Sequence, residues 1–452
     1  MKPEQPHQFR LLRQRRYAPF FFTTFLGSMN DNLLKFSATL LLTYQLAVPW
    51  LPPTLVGPLL GAIFIAPSLL LSATLGQWAD RCDLAWLIRL GKGLEVLMMA
   101  LAAWALWQRD VPLILACVLL AGVHVSLFST VRYAYIPQHL GPHELTGGNG
   151  VLEMGIFLAI LMGTLAGGVL ISPDVGGTWV VGLAIVAMAL LGRLASHWVP
   201  STPAVAPGLK IHWNPVAETW RNLRRCHEDR LMFASMLGIS WMWFFGAGFL
   251  AMFPALSKEV LHGQEGVAAF LLVLTSLGIG GGALMCEGLS RGKVELGLVP
   301  LGALGMAVFA VEMSLAVQAL EQANALVDRP PWTAAQFVTN PAHWRFLADL
   351  LLMALSVGLF SVSLYAQMQA RAEPSHRARI IATNNILNAL FILLSAVMVG
   401  GLSAVGLSMG QLFGALAVVH TVACSLAFAW QPIFVRHALY WVRHRLGSQS
   451  QA

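Results

Sequence analysis

"LFSTVRYAYIPQHLGP", residues 127–142, returns as "LFSVSLYAQMQARAEP", residues 359–374, with Leu, Phe, Ser, Tyr, Ala and Pro in register from Leu127/Leu359 to Pro142/Pro374. After three inserted residues, "NGVLE" from Asn149 falls on "NNILN" from Asn384. Self-similarity at so long a spacing means two copies of one large unit. Both copies lie in apolar surroundings, so the chain reads as two related halves running in parallel.

Working outward, 57% of the 452 residues are hydrophobic, mean hydropathy is +0.68 and 11% are charged. A soluble domain carries about 25% charged residues, and its core cannot absorb this much apolar surface. Charge-poor runs of about 20 residues fit helices crossing a bilayer, where only helices or closed barrels satisfy the backbone. The alternating segments of about 10 residues that mark barrel strands do not occur. The fold class is therefore an all-α polytopic membrane protein, with twelve spans at 17–46, 54–78, 84–107, 111–136, 145–171, 177–199, 231–257, 264–289, 294–318, 343–369, 378–400 and 408–434. Residues 1–199 and 231–452 form two pseudo-symmetric six-helix halves, joined by a polar, proline-punctuated linker at 200–230. Parallel repeats with an axis along the membrane normal and a cleft between them are the architecture of major facilitator transporters.

The net charge of +7 does not point to nucleic acid, because of where the charge sits. Arg109, Lys258, Arg329 and Arg345 fall on one side of these spans, Lys35, Lys92 and Arg132 within them, and the rest of the 28 lysines and arginines on the other. The positive-inside rule then places both termini and the linker in the cytoplasm. Arg10, Arg13, Arg15 and Arg16 precede the first span, which lacks a small-residue cleavage site and reads as a retained helix, not a signal peptide. The linker segment Pro215 to Arg230 reads either as a plain solvated connection or as an amphipathic helix on the anionic surface, with Trp213 and Trp220 at the interface. Cys82, Cys117, Cys226, Cys286 and Cys424 show neither disulfide nor zinc spacing. No cofactor or metal is expected.

The first span carries "SMNDNLLKF", residues 28–36, near its middle, where an ionised side chain costs at least about 2.5–3.5 kcal/mol. The other intramembrane polar groups are Lys92 and Glu95 in "LGKGLEVLM", His124, Arg132 and, in "GGNGVLEMG", Glu153; all lie in the first half. Asp31 with Lys35 and Lys92 with Glu95 share helix faces and can pair locally, lowering their own cost. Together with Arg132 and Glu153 they also make a nominally neutral set suited to a zwitterion, or to a phosphate bearing a long tail: Arg132 or Lys92 for phosphate, Asp31 or Glu153 for an ammonium. Asn30, Asp31, Asn32, Lys92, Glu95, Arg132, Asn149 and Glu153 are thus candidates for substrate binding or gating. His124 reads as an ordinary packed histidine and Lys35 as a snorkelling one.

In the second half Asn384, Asn385 and Asn388 replace charge by amide, with Asn384 and Asn388 the candidates there, and "GISWMWFFGAGFLAMF" offers aromatics and glycines. A polar wall facing an apolar one suits an amphipathic lipid. Ordinary helix packing is a sufficient alternative, given Gly163, Gly167 and the "GIGGG" run from Gly278. After span two, "GQWADRC" contributes Gly76, Asp80 and Arg81 to a Gly-x-x-x-Asp-Arg pattern like the major facilitator signature loop, without most of its downstream basic cluster. Asp80 is expected either to pair with Arg81 or a neighbouring helix and latch a cytoplasmic gate, or to be a surface pair. "CEGLSRGK" from Cys286 is a weak counterpart.

"FLGSMNDNLLKF", "LFSTVRYAYIPQHL" and "LTGGNGVLEMGIFLAILMGTLAGG" resemble the bacterial lysophospholipid transporter family, and most closely the transporter domain that some bacteria fuse to a lysophospholipid acyltransferase and acyl-carrier-protein synthetase. The resemblance covers nearly the whole chain. It implies a monomeric inner-membrane protein, not an enzyme, that moves lysophospholipids such as lysophosphatidylethanolamine from the outer to the inner leaflet for reacylation, with membrane lipids around it. By motif it carries over Asp31 with Asn32, Arg132 where relatives often have lysine, and Asn149 with Glu153. No His-x-x-x-x-Asp acyltransferase motif occurs, "HWRFLAD" being one residue too long, so reacylation would fall to a separate enzyme. Competing readings are a proton-coupled exporter of drugs or small metabolites, with Asp31 or Glu153 titrating, and an integral membrane lipid-modifying enzyme. Against the last stands the lack of a Gly-x-Ser-x-Gly elbow or metal cluster.

Overall fold

A computed structural model of the chain describes residues 8–46, 48–51, 53–291, 293–324 and 330–449; Arg329, one of the topology markers, lies outside them. The order is α1 (Ala18–Leu40), α2 (Pro53–Arg81), α3 (Leu84–Gln108), α4 (Val111–His139), α5 (Leu145–Leu170), α6 (Gly177–His197), α7 (Pro215–Glu228), α8 (Arg230–Ala255), α9 (Glu265–Ser290), α10 (Leu298–Asn324), α11 (Ala334–Thr339), α12 (Trp344–Arg371), α13 (Arg377–Ala404), α14 (Met409–Trp430) and α15 (Ile433–Gln449). No strand ladder occurs among the described residues, only an isolated bridge between Gly263 and Trp332.

Each expected span coincides with one long helix. Among the described residues, ten helices are long and apolar enough to cross a membrane. The two long ones outside that group are α1 and α3, whose hydropathy is diluted by the charges they carry at mid-helix. Asp83, Asp110 and Asp229 cap α3, α4 and α8, accepting backbone N–H bonds that the first turn cannot satisfy itself. The expected twelfth span is shorter than 408–434: α14 stops at Trp430, and Pro432 separates it from α15, which the sequence reading did not foresee. The linker segment does form a helix, α7, with Cys226 and Asn222 buried and Trp213, Val216 and Trp220 about 70–77% exposed.

The chain divides into two compact units, one made of Met1–Gly141, Gly155–Glu228 and Gln369–Ala389, the other of Pro142–Met154, Asp229–Met368 and Leu390–Ala452. In the first, α2 packs on α4, α3 on α4 and α6, and α1 on α6. In the second, α10 packs on α14 and α15, and α8 on α9 and α14. Small residues set the closest approaches. A Cβ on Gly163 would run into the Met29 carbonyl and sit 3.1 Å from the Leu33 nitrogen, so α5 meets the α1 backbone directly. In the second unit Gly278 and Gly282 bring α9 onto the backbone of α12 in the same way.

The polarity of α3 is inverted relative to a soluble helix. Leu94, Leu97, Leu101 and Trp104 point outward, 39–68% exposed, while Lys92 and Glu95 are 0% and 1% exposed. Large apolar side chains outside and charges inside is the arrangement that hydrocarbon, not water, selects.

Candidate functional site

In the first unit three helices, α1, α3 and α4, bring polar side chains to one buried point, where α6 adds a backbone carbonyl. Lys92 Nζ donates to Glu95 Oε2 at 2.5 Å, the i,i+3 geometry of α3. From α1, Asn30 Nδ2 donates to Glu95 Oε1 at 3.2 Å and to the Ile185 carbonyl of α6 at 3.0 Å. The Lys92 ammonium sits 4.8 Å over the Phe128 ring of α4. It fills the space where a Cβ on Gly27 would lie, and its side chain passes 3.6 Å from where one on Gly192 would be. Glycine on α1 and α6 therefore makes the hole that a lysine from α3 occupies.

His124 joins this group from α4, Nε2 3.5 Å from Glu95 Oε2 and Nδ1 3.9 Å from Asp31 Oδ1. Neither distance is a hydrogen bond: both ring nitrogens and Asp31 Oδ1 are buried without hydrogen-bond partners. Asp31 and Lys35 do not pair as local spacing suggested. Asp31 turns toward α4, whereas Lys35 Nζ lies 4.8 Å over the Phe64 ring of α2, two faces of α1 that diverge. Asn32 donates back to the Ser28 carbonyl within α1 at 2.8 Å.

Arg132 is half-buried; its guanidinium lies 5.0 Å from the Tyr133 ring centre, and its Nε is buried with no hydrogen-bond partner. Asn384 Nδ2 donates to Asn388 Oδ1 at 2.7 Å, one turn along α13, and Asn385 bridges to Ser129 and Thr130 of α4 at 2.9 and 3.2 Å. Asn149 and Glu153 belong to the second unit, buried at 0% and 2% exposure, with Asn149 Nδ2 donating to the Leu145 carbonyl at 2.8 Å. Buried polar atoms in a finished core are almost always bonded. Glu95 is engaged by Lys92 and by the Asn30 amide nitrogen, whereas the Asn30 amide oxygen, Asp31, His124 and Arg132 keep buried atoms with no hydrogen-bond partner and so have capacity left for something else. His124 is the member that reading the sequence undervalued, since a lone histidine in an apolar run gives no sign of two carboxylates arriving from other helices.

At the end of α2, Asp80 is 1% exposed and accepts from Arg379 Nε at 2.8 Å and from the Ala378 backbone N–H at 3.0 Å, the first turn of α13. Arg81 is exposed and takes no part. Gly76 lets α13 approach, a Cβ there meeting Ala382 Cβ at 2.6 Å. The linker is tied to the same place: Gln77 Oε1 accepts from His212 N at 2.7 Å, its Nε2 donates to the His212 carbonyl at 3.0 Å, and the Asp80 carbonyl accepts from Ala206 N at 2.8 Å. Arg225 of α7 reaches Glu373 at 2.6 Å. Arg379 was not foreseen; a cation just inside a helix N-terminus has no sequence mark of an aspartate some three hundred residues earlier. In the second unit Glu287 of α9 stands beside Gly147 at the start of α5, its carboxyl carbon 2.7 Å from where a Cβ would lie, and Thr146 Oγ1 donates to the Lys293 carbonyl at 3.1 Å. The weak counterpart of the Asp80 loop thus also ends against the first turn of a helix.

Chemically these groups can bind and switch. Among the described residues no group of histidine, cysteine and carboxylate side chains could hold a metal.

Residues 20–396 match the model of the Major Facilitator Superfamily. A lysophospholipid transporter of Klebsiella pneumoniae is 29% identical over 305 residues, 64% of this chain and 71% of that protein. One of Escherichia coli is 27% identical over 414 residues, 87% and 92%, and one of Serratia proteamaculans 26% over 393 residues, 85% and 88%. Among solved structures, the FucP transporter in an outward conformation aligns with a TM-score of 0.66 at 14% identity over 94% of this chain and 98% of that one. A human organic anion transporter, MFSD10, aligns at 0.67 and 14% over 91% and 99%; at such identity these show the fold alone. Twelve long helices among the described residues, the inverted polarity of α3 and the family match over most of the chain agree: this protein belongs to the Major Facilitator Superfamily and is a membrane transporter, not an enzyme.

Proposed function

We propose that the substrate is a lysophospholipid, such as lysophosphatidylethanolamine, carried by alternating access from the outer to the inner leaflet of a bacterial inner membrane. The observation that carries this is the run of relatives named lysophospholipid transporters, two of which align over more than four fifths of this chain. The side chains support it. Arg132, with a buried guanidinium nitrogen unpartnered, takes the phosphate, and Asp31 the ammonium. Asn149 and Glu153 in the one unit, and Asn384 and Asn388 in the other, are further candidates for substrate binding or gating, with Asn30 and Asn32 flanking Asp31. Lys92 and Glu95, bonded to each other, with Asn30 donating to Glu95, hold the helices that present Asp31. Asp80, which with Gly76 and Arg81 lies in the last turns of α2 and not in a loop as expected, latches a cytoplasmic gate through Arg379.

The same proposal keeps residues 1–199 and 231–452 as the two repeated halves joined by 200–230, both termini in the cytoplasm, the protein a monomer and a separate acyltransferase completing the reaction. A second reading, a proton-coupled exporter, draws on the buried, unpartnered Asp31 oxygen and His124 nitrogens, which offer a place for a proton. Translocation of labelled lysophosphatidylethanolamine into proteoliposomes decides. Transport that is lost in Asp31→Ala and indifferent to an ionophore supports the lysolipid reading. A well-folded protein giving no transport above protein-free liposomes overturns it, whereas lysolipid transport abolished by collapsing the proton gradient keeps the substrate and adds proton coupling.

A further inference from the structure

We propose that the second unit binds a phospholipid with an anionic headgroup, at a site separate from the transported substrate. A cavity of about 370 Å³ lies between α8, α12, α13, α14 and α15, walled by Leu237, Trp241, Phe360, Leu364, Phe391 and Phe434 among others. Its nearest polar groups are already bonded: the Trp241 indole donates to His420 Nδ1 at 3.0 Å, and His420 Nε2 meets the Ala303 carbonyl at 3.0 Å. Such a hole accepts hydrocarbon and penalises a polar solute. Leu426 and Trp430, which also line it, are 66% and 40% exposed on a helix long and apolar enough to cross a membrane. What faces them is bilayer, so an acyl chain enters sideways.

One end of the cavity is basic. Arg230, exposed at the first position of α8, stands one turn before Ala234, which lines the wall. Phe233 packs edge-on against Trp430 with ring centres 6.2 Å apart, which sets the start of α8 beside the end of α14. On α15, Arg436 follows two residues after Phe434, and Arg436, Tyr440 and Arg443 share an exposed face. Among the described residues Arg230 and Arg436 have no ion pair, and Asp229, the acidic neighbour, is engaged capping α8. An apolar hole with Arg230 one turn beyond its wall, and Arg436 on the outer face of the α15 helix that closes it, both without an ion pair, matches a glycerophospholipid of net negative charge. A zwitterionic lipid would use the same cavity, but its ammonium offsets the attraction of its phosphate to the arginines, so its retention should be weaker.

Native mass spectrometry of the full chain, titrated with phosphatidylglycerol or phosphatidylcholine of identical acyl chains, tests this without reference to transport. Wild type should retain phosphatidylglycerol in preference. Ala427→Trp, which fills the mouth, should lower retention of both lipids about tenfold, the effect of withdrawing two methylenes from apolar cover. Arg230→Gln with Arg436→Gln should spare retention and remove the preference, about fivefold for each arginine. Unchanged retention in Ala427→Trp, a preference that survives the double substitution, or no lipid held by wild type overturns the proposal. Ala423→Leu, a smaller filling of the same cavity, replaces Ala427→Trp if that variant does not fold.

Discussion

Removing the Glu95 carboxylate tests whether the buried charges of α3 are scaffold or machinery. In Glu95→Leu, Lys92 keeps only the Phe128 ring at 4.8 Å, a contact worth about 0.5–2 kcal/mol, while its ammonium is 0% exposed. Breaking one side of a buried pair costs about 3–5 kcal/mol, and with no other anion recorded in contact the loss should fall at the upper end. Lys92→Leu is milder, because Glu95 retains the Asn30 amide at 3.2 Å and His124 at 3.5 Å. Lys92→Leu with Glu95→Leu removes both charges and should recover most of the stability, since well-packed apolar replacements of buried pairs are often neutral or better. The expected order of unfolding midpoints in detergent is Glu95→Leu lowest, Lys92→Leu next, the double variant near wild type. The double variant should also still translocate lysolipid if the pair only holds helices together. A double variant less stable than Glu95→Leu, or a Lys92→Leu that is the least stable of the three, would refute the reasoning.

Asp80→Ala and Arg379→Ala should each destabilise the protein by about 3 kcal/mol and the double variant by clearly less than their sum; additive unfolding losses would deny that Arg379 is the latch. Asp83 is held below the ordinary carboxylate range: burial pushes its pKa up, but bonds from Ser201, Trp86, Thr202 and Ala85 outweigh that. Its contribution is therefore complete above the unfolded value of about 3.9 and lost as pH falls through the lower folded one. Between pH 5 and the acid limit wild type should lose more thermal stability than Asp83→Asn, and equal losses would show that the bonds do not matter. Gly163→Leu pushes a side chain into the α1 backbone at Met29 and Leu33 and should cost at least about 1–3 kcal/mol. Gly61→Ala, with nothing within 4 Å, should cost nothing on the same thermal assay; similar midpoints for the two would count against the α1–α5 contact.

The sequence by itself determined the class of fold and the number and placement of the long helices. Hydropathy and the length of a bilayer are properties of a linear segment, and the repeat at Leu127 and Leu359 needs no coordinates. It also offered Lys92 and Glu95 as a local pair, because three residues along a helix is a local distance, and the structure forms that pair. Local spacing misled at Asp31 and Lys35, whose side chains leave α1 toward different helices, Asp31 toward His124 of α4 and Lys35 over Phe64 of α2. It could not find Arg379 as the partner of Asp80, the Gly27 and Gly192 hollow that admits Lys92, or His124 between two carboxylates. Each of these depends on which faces of distant helices meet, and that is decided by close packing at small residues such as Gly76 and Gly163, a three-dimensional fit that no single segment encodes.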